Sequence, residues 1–455
     1  MTDSTATVKP ARSEPAGKTP EQEGGAGRFD AFQALLDEPE FLANHRAAAW
    51  ERFQSLPMPT RTTEEWRYTD LSGLDLTGFT PVAPGIEAED APLPESAIQV
   101  LERSRHRAGI VVQQNGRVIH VELDSELAEQ GVILESIGKA AKEHEHLLTR
   151  YLFQSPPAPM EEKLWTLHTA FLAGGYVLYV PANVQIKDPI HVFRLIDEED
   201  ALISTHSLIV AETGADVTVI DEYLSPDLAR PSLSVTGAVV HGESNSNVHH
   251  VSLQEYGRGV KHFAMQHLTA GRDTQLAGFN ITLGADLSRA DVSSRLVGPG
   301  SESKMLALWF GDSDQHFDHH TLQHHAAAHA RSDLLYKGAL TERASSVFRG
   351  LIRVDKGAQL TDAYQTNRNL LLSEEANAVA LPNLEIEADD VRCSHGATIG
   401  QVDSAQLFYL MSRGLTRKQA ERLLVFGFFD EVLNHLPIEG VRQRVREAIQ
   451  EKIKV

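Results

Sequence analysis

Ser207-Leu208-Ile209-Val210, then Ala211-Glu212-Thr213-Gly214-Ala215-Asp216, then Val217-Thr218-Val219-Ile220, reads as a strand, a glycine turn and a second strand. β-Branched and aliphatic residues fill the two runs, and Gly214 marks the reversal between them. Similar glycine turns precede strand-like runs at Gly271-Arg272-Asp273, Gly284-Ala285-Asp286 and Gly357-Ala358-Gln359. The recurrence is irregular. From about Trp165 to Gly400 the chain therefore consists of stacked short strands without one fixed period. That argues against a propeller. It leaves open a sandwich or a parallel β-helix, whose coils tolerate unequal length because each buries its apolar face on its neighbours.

Outside this block the patterning is helical. Residues 1–27 are rich in Pro, Gly, Ala, Ser and Thr, lack aromatic residues, and read as a disordered tail. From Arg28 onward Phe29, Phe32, Leu35 and Leu36 recur at helical spacing. Pro39 opens a second helix carrying Phe41, Leu42, Trp50 and Phe53, which Pro57 and Pro59 end. Glu64-Glu65-Trp66-Arg67-Tyr68-Thr69-Asp70-Leu71 is an aromatic anchor in a loop or helix start. Residues 81–94 read as a linker. Asn115-Gly116 between Ile110-Val111-Val112 and Val118-Ile119 predicts a hairpin, because both turn residues accept positive φ. Residues 134–151 return to helix. The expected organisation is a tail over 1–27, an N-terminal helical region with a hairpin over 28–164, a β core over 165–402 and a helical domain over 403–455.

In that last segment Asp403 and Gln406 fit an N-cap and N3 pair, Gly414 a helix stop, and Thr416 with Gln419 a capping box. The helix that follows carries Leu423, Leu424, Phe428, Phe429 and Val432 among other apolar residues around much of its circumference. Such a helix lies in a core or under a partner.

Composition excludes several classes. A net charge of −21 without a long Lys/Arg cluster argues against nucleic acid. The longest apolar run, residues 170–180, holds two glycines and is too short for a membrane span. The N-terminus lacks a secretory pattern, and a single cysteine fits a reducing, cytoplasmic compartment.

That cysteine lies in Asp389-Asp390-Val391-Arg392-Cys393-Ser394-His395-Gly396-Ala397-Thr398-Ile399-Gly400. On a strand, Cys393 and His395 face the same way, about 6.6 Å apart. Thiolate and imidazole suit iron, zinc or iron–sulfur units. The plainer reading is a small core residue and a turn histidine. A second candidate is Gln315-His316-Phe317-Asp318-His319-His320-Thr321-Leu322-Gln323-His324-His325 with His329, in which His316, Asp318 and His320 share one strand face. It is either a metal site or a hydrogen-bonded polar ladder.

The run around Cys393 resembles the SufB/SufD scaffold family of the Suf iron–sulfur cluster assembly machinery. So do Ser332-Asp333-Leu334-Leu335-Tyr336-Lys337-Gly338, Thr361-Asp362-Ala363-Tyr364-Gln365-Thr366-Asn367-Arg368-Asn369, Leu381-Pro382-Asn383-Leu384-Glu385-Ile386 and the Trp66 element. The resemblance selects the fold: mainly β, a right-handed parallel β-helix flanked by N- and C-terminal helical regions. It implies a non-catalytic scaffold that pairs with a SufB-like β-helix subunit and forms a transient, shared iron–sulfur cluster at their interface. His395 is implied as a ligand of that cluster, with Cys393 in sulfur or metal handling. An imidazolium beside it is expected to lower the thiol pKa. Leu423, Leu424, Phe428, Phe429 and Val432 are implied to dock a SufC-like ATPase. Reduced flavin is implied in the full complex, without a site here. A single cysteine, and Gly396 where SufB chains carry Glu, place the chain on the SufD side. One cysteine cannot hold an ordinary cluster alone, and no phosphate-loop motif is present. An open sheet edge also makes a homodimer of the isolated chain feasible. Two competing readings are a β-helix enzyme acting on polysaccharide, against which stand the missing secretory pattern and the lack of a carboxylate cluster beyond Asp389-Asp390, and a metal protein centred on the histidine-rich run.

Overall fold

The computed structural model describes residues 20–83, 93–95, 98, 106–152 and 162–453. Two ten-stranded sheets face each other. The first comprises β1 (Thr80–Pro81), β4 (Ile133–Ser136), β5 (Gly174–Val180), β7 (Ala201–Ala211), β9 (Ser232–Gly242), β11 (Val260–Ala270), β13 (Leu287–Leu296), β15 (His316–His325), β17 (Ser345–Val354) and β19 (Asn377–Ile386). The second comprises β2 (Gly109–Gln114), β3 (Arg117–Leu123), β6 (Ile190–Leu195), β8 (Asp216–Leu224), β10 (Asn247–Glu255), β12 (Gln275–Thr282), β14 (Glu302–Gly311), β16 (Arg331–Leu340), β18 (Thr361–Leu371) and β20 (Val391–Gln401). From β5 to β20 the chain alternates between the sheets and every ladder is parallel. This is a β-solenoid, as the resemblance implies.

Coil length explains the missing period. One coil advances 26 residues from Lys261 to Leu287 and 32 from Ser345 to Asn377. The turns absorb the difference, while the strands stay in register. The left-handed residue also moves within the turn. It is Gly214 (φ 72°) in one, Asp273 (φ 53°) in another and Ala285 (φ 69°) in a third. A side chain on Gly214 would also run into Asn183.

Between the sheets, alternate residues such as Leu178, Ile209, Val219, Val240, Val292 and Phe348 stack into one apolar column. The fixed period of two in each strand puts the next residues on the outer faces. Outside the first sheet, α1 (Pro20–Gln33), α2 (Glu40–Ser55) and α6 (Glu162–Ala170) bury Phe29, Phe32, Leu42 and Trp165 against Leu208, Val210, Val235 and Val239. Short α3 (Ser125–Glu129), α4 (Ile137–Glu143) and α5 (Glu145–Tyr151) complete this end. The hairpin at Asn115-Gly116 forms as expected, with φ of 48° and 83°. Two boundaries differ. α1 reaches back to Pro20, into the expected tail, because a helix anchored by buried Phe29 and Phe32 extends cheaply by one hydrogen bond per residue. Residues 133–136 pair with β5 as a strand before helix begins. Residues 1–19 and most of the expected linker lie outside the described residues.

Outside the second sheet lies a helical hairpin, α8 (Arg417–Leu433) and α9 (Glu439–Lys452), preceded by α7 (Ser404–Ser412). Thr416 and Gln419 form the full capping box. Asp403 caps α7 through the Ala405 N–H, without the expected Gln406 partner. Val425, Phe429, Val432, Val441, Val445 and Ile449 interlock with Val251, Phe279, Leu306 and Leu335 of the sheet. The helices and the solenoid therefore share one core.

Candidate functional site

Among the described residues β20 is the last strand of the second sheet, paired only with β18, and β19 ends the first sheet. Both open edges lie at one end of the solenoid. On β20, Cys393 pairs with Ala363 and His395 with Gln365. Ala363 and Gln365 are buried, so Cys393 and His395 belong to the inward-facing rows of the final coil. The expected i, i+2 placement on one strand face is therefore met, at the mouth of the solenoid.

The thiol rests on a small apolar pad of Ile352, Val354, Ala358, Ala363 and Ala388. Burial pushes the Cys393 thiol up, and Asp362 pushes it further, against one backbone hydrogen bond at Ala363. This reverses the expected imidazolium-activated thiolate. A pad of alkyl groups and a nearby carboxylate both disfavour negative sulfur. His395 is exposed. Beneath it Gln365 is 1% exposed, and both of its amide atoms lack a hydrogen-bond partner. A Cβ on Gly350 of β17 would lie 2.0 Å from the Gln365 Nε2, so that glycine clears the space the amide occupies. Asn367 and Asn369 continue the polar floor, with Asn369 Nδ2 donating to Asn367 Oδ1 at 2.7 Å. Gln365 escaped the sequence reading. Its only signal is a two-residue phase shared with Asn367 and Asn369. At Gly396 an added Cβ meets nothing, so the edge has room for a larger side chain there.

The histidine-rich run is β15, two strands in from the open edge. His316, Asp318 and His320 do share its outer face, but other side chains of this protein fill that face. Arg289 on β13 donates to Asp318 at 2.8 Å and to Asp291 at 2.9 and 3.0 Å. The Trp66 ring stacks on the guanidinium, 3.7 Å from its Cζ. Thr69 Oγ1 donates to Asp318 at 2.6 Å and lies 2.9 Å from His316 Nε2. The 64–71 segment is thus a strap fastened over β13 and β15. Burial pushes the Asp318 carboxyl up, but His320 and Arg289 outweigh it and hold the group far below the usual range. Among the described residues, the group of three ligand-type side chains close enough to share an ion is Glu135, Glu143 and His144, outside this run.

The apolar residues expected to meet a partner divide. Phe429 and Val432 are 0% and 1% exposed and are consumed by the chain's own core. Leu424 and Phe428 are half-buried, and Leu423 is exposed. The helix looks apolar all round because one side faces the sheet. The exposed large apolar side chains of these helices are instead Phe408, Tyr409 and Met411 of α7 and Leu423 of α8. Among the described residues no helix is long and apolar enough to cross a membrane.

The fold and its open end define a parallel β-solenoid with a lone thiol and an imidazole displayed on a terminal edge strand. The chain matches the family "SUF system FeS cluster assembly, SufBD core domain" over residues 193–428 and "SufBD protein N-terminal region" over residues 28–192. It therefore belongs to the SufBD family of iron–sulfur cluster assembly proteins. It is similar to the iron–sulfur cluster assembly protein SufD of Bacillus subtilis (strain 168), 32% identical over 93% of this chain and 97% of that protein. It is also similar to the SufBD family protein slr0076 of Synechocystis, 31% identical over 92% of this chain and 93% of that protein. A SufBD family protein of Staphylococcus saprophyticus is 25% identical over 89% of this chain and 88% of that protein.

Proposed function

We propose that the chain is a non-catalytic scaffold subunit whose terminal coil pairs with a second, SufB-like solenoid. The nascent iron–sulfur cluster is then the cargo held between the two edges. The observation that carries this reading is the placement of Cys393 and His395 together on the open edge strand β20. One thiol and one imidazole leave a cluster short of ligands, so the partner edge supplies the rest. His395, exposed, is the ligand on this side. Cys393 becomes a thiolate only once a metal or the partner offsets its burial and Asp362. The α7–α8 surface of Phe408, Tyr409, Met411 and Leu423 docks a SufC-like ATPase, replacing the buried Phe429 and Val432 in that role. Reduced flavin belongs to the full assembly, and no residue of this chain is assigned to it.

The test is anaerobic purification of the assembled complex carrying His395→Ala or Cys393→Ala, with iron, sulfide and subunit analysis. Loss of labile iron and sulfide with subunits retained is expected. Normal cluster loading in both variants removes the site assignment.

A further inference from the structure

β4 closes the first sheet at the end away from Cys393 and His395, eight ladder steps from β19. At about 4.8 Å a step, roughly 38 Å separates the two ends. Leu134 of β4 belongs to the inner apolar column, so Glu135 lies on the outer face. Ser136 then caps α4, its hydroxyl accepting from the Lys139 N–H at 3.1 Å. Ile137, Ala140 and Ala141 bury that helix against the sheet. Glu143 is its last residue and His144 its C-cap, with the His144 N–H donating to the Ala140 carbonyl at 2.7 Å. Packing therefore fixes the backbone at both ends of a seven-residue helix. The long side chains of Glu135 and His144 meet alongside it.

One carboxylate oxygen of Glu135, one of Glu143 and one ring nitrogen of His144 lie within 4.8 Å of one another. The Glu135 side chain is 15% exposed, and its Oε2 is buried without a hydrogen-bond partner. Lys139 Nζ sits 3.2 Å from the other oxygen, Oε1. Oε2 instead faces His144 Nε2 at 3.6 Å, too far for a hydrogen bond. That spacing is close to the roughly 3.4 Å between two ligand atoms on a tetrahedral ion with bonds of about 2.0–2.1 Å. Two carboxylates converging on one imidazole repel each other unless a cation lies among them. We infer that Glu135, Glu143 and His144 bind one divalent transition-metal ion, zinc or ferrous iron. Two carboxylate oxygens with one imidazole nitrogen suit these borderline ions. Magnesium and calcium take oxygen shells, and cuprous copper takes sulfur. Three protein ligands leave the remaining position to water. The ion ties the two ends of α4 together and fixes the corner where α5 begins.

The test uses the full chain without an affinity tag, stripped by a chelator and carrying Cys393→Ser and His395→Ala. Those two substitutions remove the ligands at the open edge, so the result is independent of the cluster reading above. The chain is dialysed anaerobically against Zn²⁺, Fe²⁺ or Mg²⁺, and bound metal and melting temperature are measured. One Zn²⁺ or Fe²⁺ per chain is expected, with a raised melting temperature, and no such uptake of Mg²⁺. Glu143→Gln and His144→Ala, each added singly, are expected to abolish both the bound ion and the rise. Glu143 is exposed, so Glu143→Gln keeps the fold, and its melt in chelator checks this. A background chain that binds no ion overturns the inference. Uptake undiminished by both added substitutions also overturns it, because the ion then sits elsewhere, as on the histidine-rich run. So does Mg²⁺ bound as well as Zn²⁺, which marks an acidic surface and not a site.

Discussion

Replacing Arg289 by methionine removes the hub of the strap. The guanidinium is 0% exposed and is the shared partner of Asp291 and Asp318, themselves 2% and 1% exposed. Methionine keeps much of the volume but takes the guanidinium from two buried carboxylates, leaving them His320 alone, 3.0 Å from Asp318 and 3.8 Å from Asp291. Breaking one buried pair by deleting a partner costs about 3–5 kcal/mol, chiefly as the penalty for the stranded charge. Loss of the desolvated stacking on Trp66 adds up to about 2 kcal/mol, and the two are not additive. A loss of about 3–5 kcal/mol is therefore expected in denaturant unfolding, with faster amide exchange over residues 64–71 than over β5–β12. Adding Asp291→Asn and Asp318→Asn to Arg289→Met should recover most of that loss, since no charge is then stranded. A single variant losing under about 1 kcal/mol with unchanged exchange in 64–71 would refute the clamp. So would a triple variant no better than the single one, because the stranded-charge argument requires recovery.

Acid sensitivity should set in well above the carboxylate range. Burial lowers His267, His319 and His325 from 6.5 to about 4, so the unfolded chain binds their protons first. The stability they contribute is complete above pH 6.5 and is lost as pH falls toward 4, at up to about 4 kcal/mol per pH unit for the three. Urea midpoints that are flat between pH 7 and 5 contradict this. Phe429→Ala should cost about 3–5 kcal/mol, whereas exposed Leu423→Ala should change stability by under about 0.5 kcal/mol; paired thermal melts separate them, and equal losses would place α8 wrongly. Gly338→Ala puts a Cβ 2.2 Å from the Trp309 ring inside the solenoid. An overpacking loss of about 1–3 kcal/mol should follow, with altered Trp309 fluorescence; a neutral variant would mean the ring moves freely.

Much of the fold was legible because it is local. Asn115-Gly116 turns wherever it occurs, since both residues accept positive φ, and Thr416 with Gln419 caps by side chains three apart. The strand runs of the core announce themselves by composition. Their stacking did not, because coils of 26 to 32 residues erase the period while the register is held across space. Resemblance to a known family, not periodicity, chose the solenoid over the sandwich.

The candidate site divides the same way. That a lone thiol and an imidazole stand two residues apart on one strand is a property of the sequence. That this strand is the last of its sheet, left open by its neighbours, is a property of the stack. The sequence carried the histidines of β15. Only the fold brought Trp66 and Thr69 onto them from more than two hundred residues away, and Arg289 from the neighbouring strand, and so turned a metal-like motif into a charge clamp. The sequence marked α8 as apolar on most sides. Which side faced water was settled by the sheet beneath it, because burial is decided by what packs against a residue and not by the residue itself. The sign of the Cys393 shift followed too: an alkyl pad and Asp362 from a neighbouring strand outweigh anything the local sequence offered the sulfur.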